Sequence, residues 1–113
     1  MIDKKAFDCI SAYLAEAKKS GSVLAGGGVD GDSGYFIQPM LVETNDPGHQ
    51  LLCEEIFGPV VTAYVYDDDK WEEPLGVVDA TSPHALTGAV FANERQTVCQ
   101  AAAALRGPPA TST

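Results

Sequence analysis

The sequence predicts an α/β fold, a mostly parallel sheet with flanking helices, on three observations. Val60 to Tyr66 is, Ala63 apart, a β-branched and aromatic run, the pattern of a strand buried on both faces as in parallel sheets. A strand, helix, strand, helix order follows from residue 60 to about Leu105, which is the order of a βαβ unit. An amphipathic helix precedes both: Phe7, Ile10, Leu14 and Ala17 recur at steps of three and four between Asp3 and Ser20, and Gly21 terminates the stripe.

Each element has its own justification. Ser22 to Ala25 is a short apolar run ended by Gly26, Gly27 and Gly28, and Asp30 to Gly34 is turn-rich. Tyr35 to Glu43 reads as a strand, broken or placed at an edge by Pro39. Asp67, Asp68 and Asp69 offer a cap and negative charge to a helix over roughly Lys70 to Ala80, with Trp71, Leu75 and Val78 on one face and Pro74 tolerated in the first turns. Leu86 to Phe91 reads as a second buried strand. Asn93, with Gln96 three residues on, starts a helix to about Leu105. The tail from Gly107 to Thr113 is small, polar and Pro-rich and is expected to be disordered.

With 113 residues there is room for one domain or a piece of one. The 45% apolar content places the chain among globular proteins. Ordering costs roughly 1.5 kcal/mol per residue, so burial in a chain of this size has little margin. Sixteen acidic against seven basic residues give a net charge of −9, which repels phosphate backbones and anionic lipid, so neither nucleic acid nor membrane is an expected partner. No apolar run approaches the ~20 residues of a membrane span, and no targeting segment is readable. Cys9, Cys53 and Cys99 are odd in number and without a C-x-x-C pair, so neither a disulfide framework nor a zinc site is indicated and a reducing compartment fits.

Four patterns could carry chemistry. Gly26, Gly28 and Gly31 match G-x-G-x-x-G, but they lead into a strand and bring two carboxylates, whereas a phosphate cradle needs a helix N-terminus at that point. Asp30 and Asp32 lack the remaining positions of a calcium loop and read as solvated carboxylates. His49 and Cys53 invite a thiolate and base pairing, against the plainer reading of a structural Cys and a surface His, and His84 has no neighbour that assigns it a role. The fourth is Glu55-Ile56-Phe57-Gly58-Pro59. In an extended chain, an acid two residues before a ring lies on the same side, here at the end of a strand. Such a pair suits a nucleoside, the carboxylate accepting from the sugar diol at about 1.5–3 kcal/mol and the ring adding about 0.5–1.5. The alternative is a capping Glu and a core Phe.

Glu54 to Val60 resembles the E-E-I-F-G-P-V signature of the NAD(P)-dependent aldehyde dehydrogenases. Gly34-Tyr35-Phe36-Ile37-Gln38-Pro39 is similar to the G-[YF]-[FY]-x-x-P strand that the family places upstream, and Leu86 to Phe91 to its downstream L-[ST]-[AG]-[AG]-V-F strand. The likeness runs from Ile2 to about Arg106. Tyr64 to Asp68, Lys70-Trp71 and Val78 to Ser82 are most similar to the mitochondrial glutamate-semialdehyde (1-pyrroline-5-carboxylate) branch.

The resemblance implies NAD as cofactor, with Glu55 holding the nicotinamide ribose hydroxyls, Phe57 packing beside the nicotinamide, and Gly58 and Pro59 shaping the turn. It implies oxidation of glutamate γ-semialdehyde to glutamate in proline breakdown, a small aldehyde substrate, a homo-oligomeric intact enzyme and the mitochondrial matrix. It also implies that the nucleophilic cysteine, the general base and the Rossmann domain lie upstream of the matched region. Residues 1–106 are thus expected to be a partial catalytic domain without catalytic residues or a metal site, inactive alone, and residues 107–113 a non-matching tail. Cys53 falls where the family has no nucleophile. A truncated, non-catalytic form that docks on full-length subunits is the alternative.

Overall fold

The computed structural model describes residues 1–83 and 87–106, and the chain divides into two units, Met1–Tyr66 and a second from Asp67 onward. In the first, α1 spans Lys4–Ser20 and begins where the stripe predicts: the Asp3 carboxylate accepts from the Ala6 amide at 2.7 Å and caps the first turn. Ile10, Leu14 and Ala17 are buried, and Lys18 and Lys19 lie in the last turn, where the helix dipole favours them. Gly21 ends the helix in extended backbone, not in a left-handed cap. Glycine is required there because a Cβ would stand 2.7 Å from Val42 Cγ1.

Five strands follow in this unit: β1 Ser22–Gly26, β2 Val29–Asp30, β3 Phe36–Ile37, β4 Met40–Thr44 and β5 Val60–Tyr64. Pro39 splits the expected 35–43 strand into β3 and β4, since its nitrogen cannot donate to a ladder. β2 and β3 form a two-stranded antiparallel pair. The main sheet has the order β1-β4-β5 and is mixed, with β1 antiparallel to β4 and β4 parallel to β5 in register from Met40↔Val60 to Thr44↔Tyr64. The parallel character expected of the 60–66 run is therefore present. Its crossover, however, is residues 45–59 with the single-turn helix α2, Gln50–Cys53, upstream of β5 instead of downstream.

One core holds the unit together. Ile10, Leu14 and Ala17 of α1 meet Met40 and Val42 of β4 and Leu51 of α2, with Tyr13, Ile37, Ile56 and Val60 around them. β4 alternates between buried Met40, Val42 and Thr44 and half-buried Leu41 and Glu43, as period-2 geometry requires. Among the described residues β5 is at the end of the sheet and is not buried on both faces, Val61 being 64% exposed. Apolar content marks a strand's capacity for burial, and only a neighbouring layer realises it.

In the second unit a 3-10 turn, Asp68–Lys70, leads into α3, Glu72–Ala80, and α4 spans Arg95–Ala104. Asp67 makes no side-chain cap, and Val78, expected on one face with Trp71 and Leu75, is exposed. Pro74 sits in the first turn of α3, where no helical N–H is lost, and is buried. Trp71 Nε1 donates to Gln100 Oε1 at 3.3 Å, linking the two helices. The expected strand over 86–91 is corrected: Leu86 lies outside the described residues, and 87–91 pair with no strand among them, Phe91 being 94% exposed. A β-rich run without a ladder partner has no means of satisfying its backbone as a strand. The helix expected from Asn93 starts at Arg95 without a side-chain cap. His84 and the tail 107–113 lie outside the described residues.

Candidate nicotinamide-facing corner

Between the end of α2 and the start of β5 the chain turns through Glu54 to Pro59 over a concave surface of about 460 Å³, lined by residues including Leu51, Glu54, Ile56, Phe57, Gly58 and Val60. The corner is pinned at its downstream end. Val60 N–H donates to the Gly58 carbonyl at 2.8 Å, and the Pro59 carbonyl accepts from Met40 N–H at 2.9 Å, opening the β4–β5 ladder. Gly58 lies against the core: an added Cβ would come within 3.0 Å of both Ile10 Cδ1 and Ile10 Cγ2.

Phe57 is the one non-glycine residue with positive φ among the described residues, at 55°. Left-handed backbone costs an ordinary L-residue about 1–2 kcal/mol. Within this chain the side chain does not recover this by burial, for Phe57 is 85% exposed. The alternation that would put acid and ring on one side holds only through extended backbone, and Phe57 leaves that region. Phe57 lines the concavity, and Glu55 is exposed beside it and is not among its lining residues.

The acid at the concavity is Glu54, which sequence reasoning passed over. Tyr13 Oη donates to Glu54 Oε2, and Gln50 Nε2 donates to Glu54 Oε1 at 3.0 Å. The Tyr13 hydrogen bond, then that from Gln50, holds the Glu54 carboxyl below the usual carboxylate range. The same bond, then loss of hydration, pushes the Tyr13 phenol up. No sequence signal marks a tyrosine and a glutamate 41 residues apart as partners.

His49 is not on the surface. It is 8% exposed and caps α2, its Nδ1 accepting from Leu51 N–H at 3.2 Å. Nε2 lies 3.0 Å from Ser20 Oγ, and that hydroxyl donates its own hydrogen to the Glu16 carbonyl. The proton therefore sits on Nε2 and is given to Ser20, so both ring nitrogens are committed and neither serves as a base for Cys53. Elsewhere, the glycine-rich stretch enters β2 and no helix, as expected. Asp30 accepts from the amides of Asp32 and Ser33 and from the Ser33 hydroxyl, which holds its carboxyl low with the hydroxyl bond foremost.

The profile described as the aldehyde dehydrogenase family matches residues 1–107. The mitochondrial delta-1-pyrroline-5-carboxylate dehydrogenase of Homo sapiens is 46% identical over 108 residues, covering 94% of this chain and 19% of that protein, and that of Danio rerio is 43% identical over the same shares. The solved Delta-pyrroline-5-carboxylate dehydrogenase from Mycobacterium tuberculosis bound with NAD is 38% identical with a TM-score of 0.81 over 94% of this chain and 19% of its own. The 1-pyrroline-5-carboxylate dehydrogenase from Thermus with bound NAD gives 29% and 0.78 over 89% and 19%. The chain spans 19% of the length of the curated relatives it matches. With the E-E-I-F-G-P-V corner, the sheet that carries it and a match over 107 residues in agreement, this chain belongs to the aldehyde dehydrogenase family.

Proposed function

We propose that this chain is part of an NAD-dependent aldehyde dehydrogenase that oxidises glutamate γ-semialdehyde to glutamate, and that it supplies one wall of the nicotinamide site. The carrying observation is Phe57, a ring held in left-handed backbone and left exposed at the rim of a concave surface. Strain retained without burial is a mark of functional positioning. The fit is chemical as well: an exposed aromatic on a pinned corner suits a flat heterocycle, with a contact of about 0.5–1.5 kcal/mol. Glu55, two residues away and exposed, is the acceptor proposed for the ribose hydroxyls.

NAD held at this corner would supply the hydride acceptor for the oxidation. This chain's residues would hold it: Phe57 beside the ring, Glu55 at the sugar hydroxyls, with Gly58 packed close to Ile10 at the base of the corner. The nucleophilic thiol and the general base are assigned to polypeptide outside residues 1–106, and Cys53 is given no catalytic role. The name of the human relative supports a mitochondrial setting, and the matrix is the proposed compartment; a homo-oligomeric intact enzyme is proposed from the family resemblance alone.

The test is titration of the 113-residue chain with nicotinamide mononucleotide, followed by NMR. Phe57 ring and Gly58 amide resonances are expected to shift, and Phe57→Ala to weaken binding about 2- to 10-fold, the equivalent of one aromatic contact. Shifts confined to other regions would refute the assignment. A second reading, a non-catalytic form that docks on full-length subunits, is favoured by the sheet-end position of β5 and the exposure of Val61, Val65 and Tyr66. Failure of the chain to co-purify with a full-length relative would eliminate it.

A further inference from the structure

Tyr13 and Ser20 stand seven residues apart on α1, about two helical turns, and so share one face. Ser20 holds His49 at the start of α2, and Tyr13 holds Glu54 immediately after its end. Leu14, Ala17 and Leu51 fill the core between the two polar contacts. A helix of one turn has no stability of its own, and the segment it leads into carries a strained Phe57. Strain of that kind persists only where the surroundings over-determine it. Downstream the corner is fixed by the Gly58 and Pro59 carbonyls, and upstream by this bridge from α1.

We infer that Tyr13, a residue outside the concave lining, is a positioning residue for the nicotinamide wall, acting through Glu54 to hold Phe57 in its left-handed, outward conformation. The inference rests on the nicotinamide reading above and adds to it a group that touches neither ring nor ribose. Tyr13→Phe removes the hydroxyl and keeps the aromatic packing. Glu54→Ala removes the acceptor, whereas Glu54→Gln retains a carbonyl oxygen for the Tyr13 hydroxyl and serves as the rescuing variant.

The experiment uses the full 113-residue chain with two readouts, backbone order parameters and affinity for nicotinamide mononucleotide. In the parent, Ile56 and Phe57 are expected near the rigid value of about 0.85, falling toward about 0.6 in Tyr13→Phe and Glu54→Ala and returning in Glu54→Gln, with Met40 and Val42 unchanged throughout. Mononucleotide affinity should fall at least threefold in the first two variants and be restored in the third. Unchanged order at Ile56 and Phe57, or equal loosening at Met40 and Val42, overturns the inference. A parent that does not respond to the mononucleotide overturns the nicotinamide reading instead, and the order parameters, which need no ligand, keep the two failures apart.

Discussion

At the scale of single residues the informative feature is a conflict between local preference and position. Phe57 adopts a conformation that favours glycine and gains no burial from it. Phe57→Gly should therefore relieve about 1–2 kcal/mol of backbone strain against an unfolded-state entropy cost of about 0.5–1, leaving stability unchanged or raised by up to about 1.5 kcal/mol. Mononucleotide binding should fall as it does for Phe57→Ala. Urea denaturation checks this, and a loss above about 1 kcal/mol would show that the ring packs structurally. Gly58, by contrast, is glycine for lack of room beside Ile10. The two neighbours are constrained for opposite reasons, one by conformation without contact and the other by contact without unusual conformation.

Among elements, the deciding contacts join α1 to the short turn of α2. The Tyr13–Glu54 link has a defined pH window. The Glu54 carboxyl is depressed in the fold, so its contribution is present above the ordinary carboxyl range and is lost as pH falls through the lowered value. The Tyr13 phenol is raised, so its contribution is present below the ordinary phenol range and is lost as pH rises through the raised value. The difference in urea midpoint between the parent and Tyr13→Phe should therefore be flat from weakly acidic to weakly alkaline pH and shrink at both extremes. A difference that persists undiminished below the carboxyl range would show that the hydroxyl's contribution does not depend on the Glu54 carboxylate. The same elements show where pattern reading succeeds. Asp3, the 3.6-residue stripe and Pro39 act through neighbours in sequence, and α1 and the β3/β4 break lie where these residues put them. The 86–91 run depended on a ladder partner, which residues 87–91 do not have among the described residues.

For the molecule as a whole, no pair of groups built for acyl chemistry comes together among the described residues: His49 spends both nitrogens on structure, and Cys53 receives neither. Purified 113-residue chain supplied with NAD and glutamate γ-semialdehyde is accordingly expected to form no NADH, and a burst of NADH absorbance would contradict this. By itself the sequence determined the α/β class, the amphipathic helix, the broken strand, the family and the corner at Glu54 to Pro59, because those signals reside in spacing and in contiguous motifs. Only the tertiary structure decided that the β4–β5 crossover runs through residues 45–59, that His49 is a buried cap, that Phe57 and not Glu55 lines the concavity, and that Tyr13 holds Glu54. Each of these depends on a backbone angle or on a partner distant along the chain, and neither is encoded in the local pattern of apolar and polar residues.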